Sequence, residues 1–104
     1  MIAWLLLLGA ILAEVTATLS LRGALDQPAL YAVVVLGYVI AFALLSGALR
    51  AGMPLGVAYG VWAAAGIVLT ALLSRLLFRE ALTPLMLGGM GLIAAGVLLV
   101  ELGG

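Results

Sequence analysis

The stretch IAWLLLLGAILAEVTATLSL, residues 2–21, decides the fold. Its twenty residues carry one ionisable side chain, Glu14. Coiled as a helix at ~1.5 Å per residue, the stretch matches a hydrocarbon core ~30 Å thick. Glu14 then lies ~4 Å from the helix midpoint. A charge at that depth costs roughly 2.5–3.5 kcal/mol to insert on translocon scales, and more on others. An ionisable residue held there marks a functional site.

Outward from this run, the chain repeats it. Three more apolar runs cover residues 29–49, 55–78 and 84–100. All four are long enough for helical spans, whereas membrane strands need only ~9–11 residues of alternating polarity. The breaks are short: Arg22 to Pro28, Arg50 to Pro54, and Arg79 to Thr83. Gly23, Asp26 and Pro28 supply turn chemistry in the first. In the last, Thr83 is placed to cap a helix beginning at Pro84. Short connections predict an all-α, up-down, four-helix membrane domain over residues 1–104.

Composition agrees. The chain is 68% hydrophobic and 8% charged, against ~45–50% and ~25% in soluble domains. With net charge zero there is no basic patch for nucleic acid. Without Cys or His, no disulfide, thiol nucleophile or zinc cluster can form, and no cofactor is expected. One buried carboxylate without a paired acid, base or metal ligand also argues against an enzyme. The first run is expected to stay on the protein rather than leave as a signal peptide. No basic residue precedes it, and it reaches full spanning length. Arg22, Arg75 and Arg79 fall on the side opposite the termini, and Arg50 with the N-terminal amine on the other. That mild bias favours the first and third loops in the cytoplasm.

Around Glu14, helical spacing places Ala10, Ile11, Ala17 and Thr18 on one face. The small residues leave room beside the carboxylate, and Thr18 adds a hydroxyl. Tyr59 and Trp62, three apart, share a face of the third helix, and Tyr38 lies within the second. A carboxylate with aromatic faces suits a lipophilic organic cation, since a desolvated cation–π contact is worth ~0.5–2 kcal/mol. Trp4 and Tyr31, near helix ends, read as interfacial anchors. In the fourth helix Gly89 and Gly96 lie two turns apart on one face. Such spacing serves close helix packing, within one chain or in a dimer contact. Gly56, Gly60 and Gly66 punctuate the third helix, as packing points or as a hinge.

Three segments together resemble the small multidrug resistance transporter family, part of the wider drug/metabolite transporter group. Gly9-Ala10-Ile11-Leu12-Ala13-Glu14-Val15 is similar to the family's signature around its essential glutamate. Pro54-Leu55-Gly56-Val57-Ala58-Tyr59-Gly60-Val61-Trp62 is similar to its Pro-x-Gly-x-Ala-Tyr-Ala-x-Trp segment. Gly89 and Gly96-Val97 match its dimerisation glycines. The resemblance covers essentially the whole chain. It implies an antiparallel, dual-topology dimer in the cytoplasmic (inner) membrane that exports cations in exchange for protons. Glu14 would be the shared proton and substrate site, with Tyr38, Tyr59 and Trp62 lining the pocket and Thr18 and Ala10 beside it. Gly89 and Gly96 would form the dimer interface. Ala17 stands where the guanidinium-exporting branch carries Trp, so the site resembles the quaternary-ammonium and drug-exporting branch. The first loop, Gly60 in place of Ala, and the single glycine of Ala64-Ala65-Gly66 depart from the family pattern.

The expected function is proton-coupled export of organic cations by a homodimer. The alternatives are one subunit of a heterodimer with a paralogous chain, exporting a specific cationic metabolite, and a non-transporting membrane interaction subunit. The last needs a basic partner for Glu14, and no Arg of this chain lies at mid-depth. A lipid-carrier flippase half is disfavoured, because a carboxylate as the sole buried charge repels anionic head groups.

Overall fold

The computed structural model describes residues 1–103. Four helices follow one another: α1 (Ile2–Ala24), α2 (Tyr31–Arg50), α3 (Leu55–Phe78) and α4 (Pro84–Gly103), with no strand among the described residues. Each is long and apolar enough to cross a membrane. All four are apolar around most of their circumference, which is the pattern of helices solvated by lipid.

The helix ends follow local chemistry. α1 runs past Arg22 and Gly23 to Ala24 rather than stopping at Leu21. Glycine weakens a helix without ending it; the stop comes from Pro28, which holds Gln27 extended at φ −127°, ψ 90°. A 3-10 turn, Pro28–Leu30, leads into α2. Gly52, at φ +103°, reverses the chain after α2, and the Met53 N–H donates to the Ala48 carbonyl at 3.3 Å. Arg79 closes α3 in the left-handed region at φ 55°. Thr83 caps α4, its Oγ1 accepting from the Met86 N–H at 3.2 Å, with Pro84 in the first turn.

The core lies between α1, α2 and α3. Leu7, Ala10, Ile11 and Val15 of α1 pack with Leu45 and Ala48 of α2, Met53 and Ala58. α1 and α2 cross tightly at Gly37. A Cβ built there would lie 2.8 Å from the Ala17 Cβ and 3.2 Å from the Ala13 carbonyl oxygen. Ala17 is therefore small because α2 crosses over it. Gly37→Ala is expected to push the helices apart and cost about 1–3 kcal/mol, as overpacking does. Gly88→Ala, where a Cβ meets nothing within 4 Å, is the control. Thermal unfolding of the purified protein should separate the two variants, and equal melting would contradict the tight crossing.

α4 stands apart. Among the described residues it packs against α3 alone and buries none of its own. The principal extents, 42 × 33 × 16 Å, are those of a slab, not a closed bundle. Gly89 and Gly96 have nothing within 4 Å of their Cβ positions among the described residues. Within one chain these glycines seat no neighbouring helix.

Candidate functional site

Glu14 sits at the junction of α1, α2 and α3. Thr18, one turn further along α1, donates to Glu14 Oε1 at 3.4 Å. Thr18 Oγ1 also lies 2.7 Å from the Tyr38 hydroxyl of α2. Thr18 has one proton and gives it to the carboxylate, so Tyr38 is the donor in the second bond. The relay Tyr38–Thr18–Glu14 fixes one carboxylate oxygen.

The other oxygen is fixed by space. A Cβ at Gly66 of α3 would lie 2.7 Å from Glu14 Oε2 and 3.3 Å from Cδ. Only glycine leaves the carboxylate room to lie against the α3 backbone. Oε2 is buried and has no hydrogen-bond partner among the described residues. An unpaired buried oxygen of this kind costs about 1–3 kcal/mol, and more when charged. It is an acceptor in search of a proton or a cation.

A cleft of about 370 Å³ opens from this point, walled by Glu14 and Thr18 of α1 and Gly66, Thr70 and Ser74 of α3. Ile67 and Ala71 add apolar wall, and Met86 of α4 closes one side. Glu80, beyond α3, stands in the same cleft and pairs with Arg22 at 3.4 Å, both side chains about half exposed. Arg22 also lies 5.3 Å from the Phe78 ring centre. This is the one ion pair among the described residues, so Glu14 has no basic partner there.

The aromatic group forms on the other side of Gly66. Trp62 lies one turn before it on α3, meets Tyr59 at 5.8 Å between ring centres and Phe42 of α2 edge-on at 5.3 Å. Its indole Nε1 is buried without a partner among the described residues. Tyr59 is 59% exposed. These rings do not wall the Glu14 cleft within one chain, and neither does Ala10, which is fully buried in the three-helix core.

The structure thus brings Glu14, Thr18 and Tyr38 into one hydrogen-bonded chain and Tyr59 and Trp62 into one aromatic group. It leaves Gly89 and Gly96 on the free helix. Sequence reasoning did not place Gly66, Thr70, Ser74 or Phe42 in the site. The signal for the first three was present: Trp62, Gly66, Thr70 and Ser74 recur every four residues and so form one stripe of α3. Phe42 carried no such signal, because its place depends on how α2 and α3 meet.

Comparison with known proteins adds an independent line. The family model described as Small Multidrug Resistance protein matches residues 2–93. A multidrug transporter of Pseudomonas aeruginosa is 43% identical over 95 residues, which is 89% of this chain and 86% of that protein. The quaternary ammonium compound-resistance protein QacE of Escherichia coli is 42% identical over 101 residues, 95% of this chain and 91% of its own. The multidrug resistance protein mmr of Mycolicibacterium paratuberculosis is 39% identical over 103 residues, 97% and 96% of the two chains.

Proposed function

The chain belongs to the small multidrug resistance family, and from that membership we propose that it is a proton-coupled antiporter exporting quaternary ammonium and related lipophilic cations. Members of the family are membrane transporters, not enzymes, and this chain is a multi-pass protein of the inner membrane. The observation that carries the proposal is the state of Glu14. Its Oε1 is held by Thr18 while its Oε2 is buried, unpaired and free of any basic side chain among the described residues. Such an oxygen is satisfied by a proton or by a cation, and by one at a time.

That competition is sufficient for coupling. With the site empty, the unpaired Oε2 is satisfied by a proton. A cation favours the ionised form and displaces the proton. Binding on one side and release on the other then exchange the two species without a separate proton path. Quaternary ammonium substrates are supported by the relatives named as a multidrug transporter and as a quaternary ammonium compound-resistance protein. The Tyr59, Trp62 and Phe42 rings lie outside the cleft of one chain, and in a dimer they would offer faces to such a cation.

The working unit in this proposal is an antiparallel dimer. Its support is that α4 buries no residue and that Gly89 and Gly96 have nothing against them in one chain. Small residues on one helix face are what lets two membrane helices approach closely. In the dimer two Glu14 carboxylates share one chamber and titrate as a pair. Alternating access follows when the two subunits exchange conformations.

The test is transport by the purified protein in proteoliposomes. An outward-directed proton gradient should drive uptake of a quaternary ammonium cation, and collapsing the gradient with a protonophore should stop it. Uptake that ignores the gradient would refute proton coupling while leaving cation transport standing.

A further inference from the structure

The cleft continues beyond Glu14, and its far wall is chemically different. From Gly66, which seats the carboxylate, α3 presents Thr70 one turn on and Ser74 two turns on, both walling the cleft. In the other direction the same stripe is aromatic, with Trp62 and Tyr59. Glu14 therefore lies where an aromatic half of the stripe meets a hydroxyl half. Thr70 Oγ1 is buried and has no hydrogen-bond partner among the described residues. Helical threonine divides between two χ1 wells, so this hydroxyl can turn to a partner that arrives in the cleft. Apart from Glu80, which is paired with Arg22, the remaining wall there is apolar, from Ile67, Ala71, Ala81 and Met86. A mostly apolar cavity with a few convergent polar groups is how small-molecule sites orient their ligands.

We propose that Thr70 and Ser74 form a specificity subsite that reads a hydrogen-bonding group on the transported cation. This deepens, and rests on, the reading of Glu14 as the cation seat. The rise of an α-helix puts Thr70 and Ser74 about 6 and 12 Å along α3 from Gly66. The favoured substrate is therefore an amphiphilic cation whose hydroxyl, ether or amide lies about 6–12 Å from its charged centre, a distance set by that rise. A purely hydrocarbon cation of the same length leaves the buried Thr70 hydroxyl without a partner.

The experiment uses hexyltrimethylammonium and its terminally hydroxylated analogue, with binding to the purified full-length protein followed by tryptophan fluorescence. In the wild type the hydroxylated cation is expected to bind at least as tightly as the alkyl cation, although its hydroxyl must give up water. Thr70→Val with Ser74→Ala should shift the affinity ratio against the hydroxylated cation by about threefold to tenfold, the worth of a hydrogen bond. Thr70→Ser should restore the ratio. A wild type that binds the hydroxylated cation tenfold more weakly overturns the subsite with no variant needed, and so does a ratio that the double substitution leaves unmoved. Glu14→Gln separates the two claims. If that variant still binds both cations, the cation seat fails, whereas a ratio that still depends on Thr70 keeps the subsite.

Discussion

Glu14→Gln is expected to abolish proton-driven cation uptake, lowering the initial rate at least ~100-fold, while leaving the protein folded and no less stable. Gln matches Glu in size, and its Oε1 can still accept from Thr18, which keeps the relay to Tyr38. What disappears is the charge. An ionised carboxylate near the bilayer centre would cost roughly 2.5–3.5 kcal/mol on translocon scales, and Gln, neutral like the protonated carboxyl of the empty site, brings no such cost to the fold. The substitution leaves nothing to take a proton on one side and release it to a cation on the other. Activity should therefore fall while stability holds. Proteoliposome uptake and thermal unfolding of one preparation measure both. A variant that loses activity because it unfolds would mean that Glu14 is a structural residue.

Gly66→Ala is the second large effect, and its mechanism is different. The added Cβ would meet Glu14 Oε2 at 2.7 Å, Cδ at 3.3 Å and Oε1 at 3.5 Å, its three nearest contacts. Something must move, and the free end of the glutamate is softer than the α3 backbone. The helix pair should stay in place, helped by the ~1 kcal/mol that Ala gains over Gly in a helix interior. The carboxylate, however, leaves its seat. Cation affinity and uptake are expected to fall about 10–100-fold, in keeping with the sensitivity of positioned groups to ~1 Å displacements. Thr18→Ala offers a milder comparison, because it removes the 3.4 Å contact to Oε1 and the 2.7 Å bond to Tyr38 but leaves the space at Gly66 intact. Equal losses from the two would mean that orientation by Thr18, rather than room at Gly66, sets the carboxylate's position.

The helices themselves were legible from one signal, apolar length. Runs at 2–21, 29–49, 55–78 and 84–100 became α1 to α4, with α1 and α4 each carried three residues further. At α1 the extension has a local cause: Gly23 can remain helical, and the stop belongs to the residue before Pro28. Thr83 was readable as a cap because capping depends on neighbours in sequence. Glu14 stood out because its insertion cost does not depend on any neighbour.

Less legible was what each small residue makes room for. Ala10, Ala17 and Gly66 look alike in sequence, as small residues in apolar helices. The structure gives them three uses. Ala10 is buried in the α1–α2–α3 core, Ala17 admits the crossing of α2 at Gly37, and Gly66 admits the carboxylate. Helical periodicity says which face a residue is on but not which helix covers that face. The Thr18–Tyr38 bond, between residues twenty apart, depends likewise on how α1 and α2 are set against each other. The α3 stripe from Trp62 to Ser74 was within reach of periodicity alone, once Gly66 was known to face Glu14.

The central claim is that one carboxylate chooses between a proton and a cation. It is tested most directly by adding a quaternary ammonium cation to purified protein in weak buffer and following the pH. Wild-type protein should release protons in a saturable way, with a cation affinity that weakens by up to ~10-fold per unit fall in pH while the empty site is protonated. Glu14→Gln should release none. Saturable cation binding by the wild type with no proton release at any pH would contradict the account.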